Sequence, residues 1–226
     1  MHNDQLLQSQ NRIHARKNLW IVGGGGAALE VWAVAQLLAT TDVFPVVRGF
    51  ITPDGACHFK IDGLTSISES EFLKSGSPSE DVIVLGIGKP EVRRQVSDIF
   101  RQSGFTFATL VHPRAIIGPQ VVLGSGTVVM AGAVLETHLS IGQHCLINVL
   151  CSVAHDCVIS DYCNLGPGVH LAGAVCLGPG SDLGIGSVAR PGVKLGPQTI
   201  AGAGTVLIKD FAGMGTLIGV PGRQLS

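Results

Sequence analysis

The sequence predicts an α/β N-terminal domain with a small parallel, Rossmann-like sheet, followed by a left-handed parallel β-helix of hexapeptide repeats. Three observations predict it. A six-residue period runs unbroken from about Val111 to Val206, a Gly-rich turn joins an apolar strand to a helix near the N-terminus, and charge separates the two halves.

The period decides the architecture, because a missed repeat miscalls a whole fold. Every sixth residue from Val111 reads Val111, Ile117, Leu123, Val129, Leu135, Ile141, Ile147, Val153, Ile159, Leu165, Leu171, Leu177, Leu183, Ala189, Leu195, Ala201 and Leu207. Four residues after each stands a residue that is nearly always small, including Cys145, Cys151, Cys157, Cys163, Ser181, Ser187, Thr199 and Thr205. Gly often follows the aliphatic residue, as at Gly118, Gly124, Gly142, Gly178, Gly184, Gly196 and Gly202. This pattern reads as a triangular coil with three short strands per turn. The aliphatic residue fills the interior, the small residue packs beside it, and Gly permits the turn. The repeats make about five coils, each one strand spacing of roughly 4.8 Å from the next.

Upstream, strands alternate with helices, which implies a parallel sheet. Asn18–Val22 reads as a strand, 27–38 as a helix, 46–51 as a strand, 70–73 as a short helix, 82–85 as a strand, 91–103 as a helix and 105–110 as a strand. The expected organisation is a disordered tail over 1–17, a Rossmann-like α/β domain over 18–110, and a β-helix with a C-terminal cap over 111–226. The tail is polar, carries Arg12, Arg16 and Lys17, and does not read as a secretory signal.

Composition excludes several classes. A net charge of -1 gives no reason to expect nucleic acid or an acidic membrane. Residues 115–135 carry no charge, but Gly118, Pro119, Gln120, Gly124, Ser125, Gly126 and Gly132 argue against a membrane span there. The 6 cysteines with no signal peptide point to reduced thiols in a cytoplasm. Of 15 basic and 16 acidic residues, only Arg114, Glu136, Asp156, Asp161, Asp182, Arg190 and Lys194 fall within 111–206. Such bare outer faces predict burial against copies of the chain.

Gly23-Gly24-Gly25-Gly26 lies between a strand and a helix, where backbone N–H groups can approach a phosphate. The spacing G-x-G-x-x-G is not met, because Ala28 fills the third position. No acid stands at the end of the second strand, where Ile51-Thr52-Pro53 occur; Asp42 precedes that strand and Asp54 follows it. These departures argue against an NAD enzyme and leave a bound nucleotide-sugar and a turn needed for packing as equal readings.

Cys145, Cys151, Cys157 and Cys163 repeat with the coil, so they should line the core rather than converge on an ion. No metal site is expected. Among the histidines, His58, His112, His138, His144, His155 and His170 lie in or before the solenoid, and no H-x-x-x-H pair is present. His155 differs in that Asp156 follows it at a corner, where a carboxylate could hold one imidazole nitrogen and leave the other as a base. Spacing alone favours an exposed corner residue and does not single His155 out.

The segment Val153-Ala154-His155-Asp156-Cys157-Val158-Ile159 resembles the sugar O-acyltransferase family. That family includes sialic acid O-acetyltransferases and N-acetyltransferases of nucleotide-linked 4-amino-sugars, such as the UDP-N-acetylbacillosamine and GDP-perosamine enzymes. The resemblance runs from Leu19 to Arg223. It takes in the Gly-rich turn, Leu85-Gly86-Ile87-Gly88 followed by Arg93, His112-Pro113-Arg114-Ala115, Val129-Met130-Ala131-Gly132, Ile147-Asn148, Leu171-Ala172-Gly173 and Gly219-Val220-Pro221-Gly222-Arg223. It implies a homotrimer with acetyl-CoA between neighbouring β-helices, His155 as general base and Asp156 as the carboxylate that raises its basicity. Asn164, Gly173, Ile185 and Ala203 would contact acetyl-CoA; Gly25, Gly26, Ala27, Thr52 and Gly88 would contact the nucleotide-sugar. Four positions depart from the pattern. Asn164 replaces a histidine common in relatives, Thr52 and Pro53 replace an acidic pair, and Ala27 replaces His or Phe.

The expected activity is acetyl-CoA-dependent N-acetylation of a nucleotide-linked amino-sugar by direct transfer, with O-acetylation of a sugar hydroxyl such as sialic acid as the alternative. Two readings come from other classes. A zinc hydratase of the γ-carbonic anhydrase kind would need a histidine spacing that is absent here, and a non-catalytic nucleotide-sugar sensor would use only the N-terminal domain.

Overall fold

The computed structural model describes residues 17–39 and 44–225; residues 1–16 of the expected tail, and Asp42, lie outside them. The chain divides into two compact units, one ending at Leu110 and one beginning at Val111, with Lys89–Glu91 grouped with the second.

The first unit is a five-stranded parallel sheet of order β3-β2-β1-β4-β5. Its strands are β1 (Asn18–Val22), β2 (Val46–Thr52), β3 (Thr65–Ser68), β4 (Asp81–Leu85) and β5 (Thr106–Phe107). Helices α1 (Gly26–Leu38), α2 (Glu69–Ser75) and α3 (Pro90–Gln102) connect them. All five residues of β4 are buried, as expected of a central parallel strand covered on both faces. Val22, Ile51, Ile83 and Leu85 meet Phe72, Phe100, Phe105 and Phe107 in one core. Ser68 starts α2 by accepting the Glu71 N–H at 3.2 Å.

Two elements differ from the sequence reading. Strand β3 was not expected, because Thr65-Ser66-Ile67-Ser68 offers a single aliphatic residue; as an edge strand it needs only its ladder to β2. The expected strand over 105–110 is two strands, β5 beside β4 and Leu110–Val111 in the first sheet of the solenoid.

The second unit is a left-handed β-helix of three parallel sheets. Strands on face one begin at Leu110, Val128, Leu146, Asn164, Asp182 and Thr199; on face two at Ile116, Val134, Ser152, His170, Val188 and Val206; on face three at Val121, Leu139, Val158, Cys176 and Lys194. Each strand pairs with the one 18 residues later, as Leu135 with Val153 and Val153 with Leu171. The aliphatic series from Val111 to Leu207 is buried throughout.

The corners correct the expected role of glycine. The left-handed residue of each corner is the third after the aliphatic one, and φ is positive at every sixth residue from Gln120 to Gly204. Gly occupies only some of these corners; Gln120, His138, His144, Leu150, Asp156, Tyr162, Ala174 and Gln198 take the others with φ between 52 and 61°. The glycines directly after the aliphatic residue answer a different demand. A Cβ at Gly118, Gly124, Gly142, Gly178, Gly184 or Gly196 would strike the backbone of the following coil. Close stacking excludes a side chain there.

The small inward residues do more than fill space. Cys145 Sγ donates to the Ser160 carbonyl at 3.2 Å, Cys151 to Gly166 at 3.2 Å, Cys157 to Ala172 at 3.2 Å and Cys163 to Gly178 at 3.3 Å. Thr127 and Ser187 make the same fifteen-residue step to Gly142 and Gly202, at 2.8 and 3.0 Å. Each thiol or hydroxyl satisfies a corner carbonyl of the next coil.

Gly124→Ala should therefore cost more than Gly168→Ala. The first drives a Cβ into the backbone of Gly142 and Gln143, whereas the second meets only the left-handed penalty of about 1–2 kcal/mol. Chemical denaturation of the two variants reads the difference, and equal losses would contradict it. Burial also pushes the Cys151 thiol up to about 11, against the opposing N–H groups of Val169, Asn148 and Gly168. A proton held more tightly in the folded state stabilises fully below the ordinary thiol value, and that stability is lost as pH rises from about 9 to 11. The loss should reach about 2–3 kcal/mol. Melting curves of wild type and Cys151→Ser across this range should diverge, with the flatter profile in the variant.

Candidate active site

His155 is the second residue of a corner between faces two and three, and Asp156 is its left-handed third, with φ 61°. Asp is among the residues that tolerate this conformation because its short polar side chain bonds locally. Here it turns back to the preceding residue, and His155 Nδ1 lies 2.8 Å from Asp156 Oδ2. In that contact Nδ1–H donates to the carboxylate, which leaves Nε2 with its lone pair. Both side chains are more than half exposed, at 58% and 60%. The pair is open to a reactant.

The ring lies over Gly173, one coil on. A Cβ there would stand 2.6 Å from His155 Cε1 and 2.7 Å from Nε2, so only Gly leaves room for the imidazole. Gly173 is buried and, among the described residues, its N–H has no partner within the chain.

Two residues that sequence reasoning missed hold residues expected in the site. Glu136 Oε2 accepts the His155 backbone N–H at 3.2 Å, and Asp182 Oδ1 accepts from Asn164 Nδ2 at 2.7 Å. Asn164 and Asp182 are register partners one coil apart. The 18-residue step was the only sequence signal that could have paired either residue with its neighbour.

Large residues at corners are common. His144 and Tyr162 occupy left-handed corners and stack at 5.3 Å. The distinction of His155 is its carboxylate, not its size. His112 has a local role, since its Nδ1 accepts the Arg114 N–H at 2.9 Å. Burial, and then the Arg114 guanidinium, hold its pKa below the ordinary value. His170 Nδ1 lies 2.8 Å from Ser152 Oγ on the outside of face two.

The four residues expected to contact the coenzyme do not share one edge. Gly173 lies beneath His155 between faces two and three. Ile185 and Ala203 are exposed at corners between faces one and two, and Asn164 is on face one.

In the first unit, the Gly-rich turn and Gly86–Gly88 follow β1 and β4, the neighbouring strands where the sheet order reverses. The crevice at such a switch point is where open α/β sheets bind ligands. The glycines divide into two groups. A Cβ at Gly23 would strike the Gly86 carbonyl, one at Gly24 would meet Thr52 and Ala56, and one at Gly86 would strike Ala28. A Cβ at Gly25, Gly26 or Gly88 would meet nothing within 4 Å. Packing explains the first group; open space for a ligand is left for the second. Buried Arg93 donates to the Ile87 and Gly88 carbonyls at 2.7 and 2.9 Å and fixes this second loop. Thr52 is buried, with its hydroxyl 3.4 Å from Asp54 Oδ1, and Ala27 sits in the first turn of α1. Among the described residues no group of three acidic, His or Cys side chains could hold a metal, and no helix is long and apolar enough to cross a membrane.

No protein-family model matches the chain. The UDP-N-acetylbacillosamine N-acetyltransferase of Bacillus subtilis (strain 168) is 33% identical over 117 residues, 51% of this chain and 52% of the relative. The match thus spans about half the length of that curated relative. The chain is also similar to PerB from Caulobacter crescentus, whose structure is a complex with CoA and GDP-perosamine. Identity is 31%, the TM-score is 0.85, and 92% of this chain and 97% of that one are covered. Similarity to the acetyltransferase domain of PglB from Neisseria gonorrhoeae FA1090 is at 28% identity and TM-score 0.82, over 92% and 100% of the two chains.

Gly173→Ala should displace the imidazole without unfolding the coil, since Ala172 and Ala174 already flank the site. Imidazole NMR shifts should report a changed His155 environment at a melting temperature within a few degrees of wild type. An unmoved ring would remove Gly173 from the site.

Proposed function

This chain belongs to the hexapeptide-repeat acetyltransferase family, close to the GDP-perosamine and UDP-N-acetylbacillosamine N-acetyltransferases, and we propose that it acetylates the amino group of a nucleotide-linked amino-sugar. Acetyl-CoA supplies the acetyl group as a thioester. The observation that carries the reading is the 2.8 Å contact between His155 Nδ1 and Asp156 Oδ2 on an exposed edge. It fixes the tautomer that a base needs.

The amine nitrogen attacks the thioester carbonyl while His155 Nε2 accepts its proton. The C–S bond breaks, and CoA leaves as the thiol with that proton returned from the imidazolium. Asp156 orients the ring and stabilises the charge it gains. The Gly173 N–H is a backbone donor positioned beside the ring for the charge that develops on the thioester oxygen. Asn164 keeps a second amide N–H beyond the one given to Asp182, and that hydrogen serves the thioester. An amide does not titrate near neutrality, so this contact is independent of pH. No covalent intermediate on the protein is required.

Gly25, Gly26 and Gly88 hold the nucleotide diphosphate, because backbone amides reach an anion where no Cβ intervenes. Thr52 is too enclosed to replace an acidic pair directly, and in this reading it acts by fixing Asp54. The separation of Gly173 from Ile185 and Ala203 on different edges supports a homotrimer in which two copies share each coenzyme.

The test is release of CoA thiol on incubation with acetyl-CoA and UDP-, GDP- or dTDP-linked amino-sugars, with free hydroxy-sugars alongside. His155→Ala should lower turnover by about 10²–10⁴-fold, the usual contribution of a general base, while leaving the β-helix folded. Full activity in that variant would overturn the role of His155. Acetylation of free hydroxy-sugars alone would overturn the substrate class.

A further inference from the structure

Two neighbouring corners of the same edge flank the imidazole. Glu136-Thr137-His138 lies one coil before His155, and Ala172-Gly173-Ala174 one coil after it. The later corner has only backbone to offer a reactant, and its Gly173 N–H is the donor beside the ring. A thioester oxygen held by that N–H puts the acyl carbon on the C-terminal side of Nε2. A nucleophile that reaches both the carbon and Nε2 comes in from the N-terminal side, past the earlier corner.

The three side chains of that earlier corner are not equivalent. Thr137 Oγ donates to the Pro119 carbonyl at 2.8 Å. His138 is the register equivalent of Asp156, which occupies the Nδ1 side of the ring and not the Nε2 side. Glu136 faces Ala154 by register, yet its carboxylate extends to His155, where Oε2 accepts the backbone N–H at 3.2 Å. Glu136 is exposed, and among the described residues its Oε1 has no partner and its carboxylate no ion pair.

A carboxylate only accepts hydrogen bonds, and that separates two nucleophiles of similar size. The nitrogen of a primary amine brings two hydrogens and gains positive charge as its bond to carbon forms. One hydrogen passes to His155 Nε2 as a proton, and the other stays as the N–H of the product amide. A hydroxyl brings one hydrogen, which the imidazole takes, and the ester keeps none. For the amine, a carboxylate at the second N–H makes a charge-assisted bond that strengthens toward the transition state. For the hydroxyl the same carboxylate faces only oxygen lone pairs.

We propose that Glu136 selects an amine over a hydroxyl as acetyl acceptor, holding the second N–H of the attacking nitrogen while His155 takes the first. The proposal rests on the acetyl-transfer reading above and deepens it, because it names the side chain that decides between N- and O-acetylation. The two carboxylate oxygens then have separate purposes. Oε2 anchors the backbone of His155, and Oε1 reads the nucleophile.

Steady-state kinetics of the full-length protein test this, with acetyl-CoA and UDP-, GDP- and dTDP-linked 4-amino-sugars, each beside its 4-hydroxy analogue. Glu136→Gln keeps an oxygen for the His155 N–H but turns N–H groups, not a lone pair, toward the nucleophile. Its kcat for the amino-sugar should fall about 10–100-fold, the factor that a hydrogen bond to a charged group contributes. The hydroxy analogue should be acetylated no more slowly than by wild type, and the imidazole NMR shifts of His155 should not move. An unchanged kcat for the amine, equal losses for both acceptors, or a displaced imidazole overturns the role of Glu136. No acetylation of any amino-sugar by wild type would instead overturn the substrate class, and the selection with it.

Discussion

Every feature of the second unit depends on one constraint: consecutive coils must stack at hydrogen-bonding distance with an 18-residue register. Three strands and three corners must fit in each circuit. Each corner from that of Gln120 to that of Gly204 is made with a residue in the left-handed region, and the glycines before it exist because the next coil passes where a side chain would be. The inward thiols and hydroxyls serve the same constraint by satisfying the corner carbonyls of the following coil. A buried carbonyl without a donor would cost about 1–3 kcal/mol.

The candidate chemistry uses this geometry without altering it. Asp156 occupies a corner position that any coil would require, and that position directs its carboxylate to the neighbouring imidazole. Gly173 is the equivalent of His155 one coil on, and its missing side chain gives the ring its place. Glu136, from the preceding coil, fastens the His155 backbone. Three successive coils thus hold one imidazole, with no loop or insertion outside the repeat.

The solenoid was legible because its demands recur at fixed spacing, and the burial of every aliphatic residue from Val111 to Leu207 follows from that spacing alone. The reason for its glycines was misread, since sequence shows that Gly recurs but not whether torsion or proximity requires it. Strand β3 was invisible, because edge pairing asks little of side chains such as Thr65 and Ser66. The roles of Glu136 and Asp182 were hidden for a related reason. Their partners lie 19 and 18 residues away, and only stacking brings them together. In the first unit the four consecutive glycines looked alike. Gly23 and Gly24 separate from Gly25 and Gly26 only when a Cβ is built on each.

The register has a further consequence for how such a chain can change over generations. Substitutions at outward positions leave the stacking untouched, so charges can come and go along an edge. A single inserted residue within a strand would turn an inward aliphatic side chain to the outside. Six inserted residues would restore the inside but carry everything downstream to a different face. Only a gain or loss of 18 returns each residue to its own face, moved by one graduation along the axis. The β-helix is therefore a ruler whose length is counted in whole coils, and whose markings can be rewritten far more readily than their spacing.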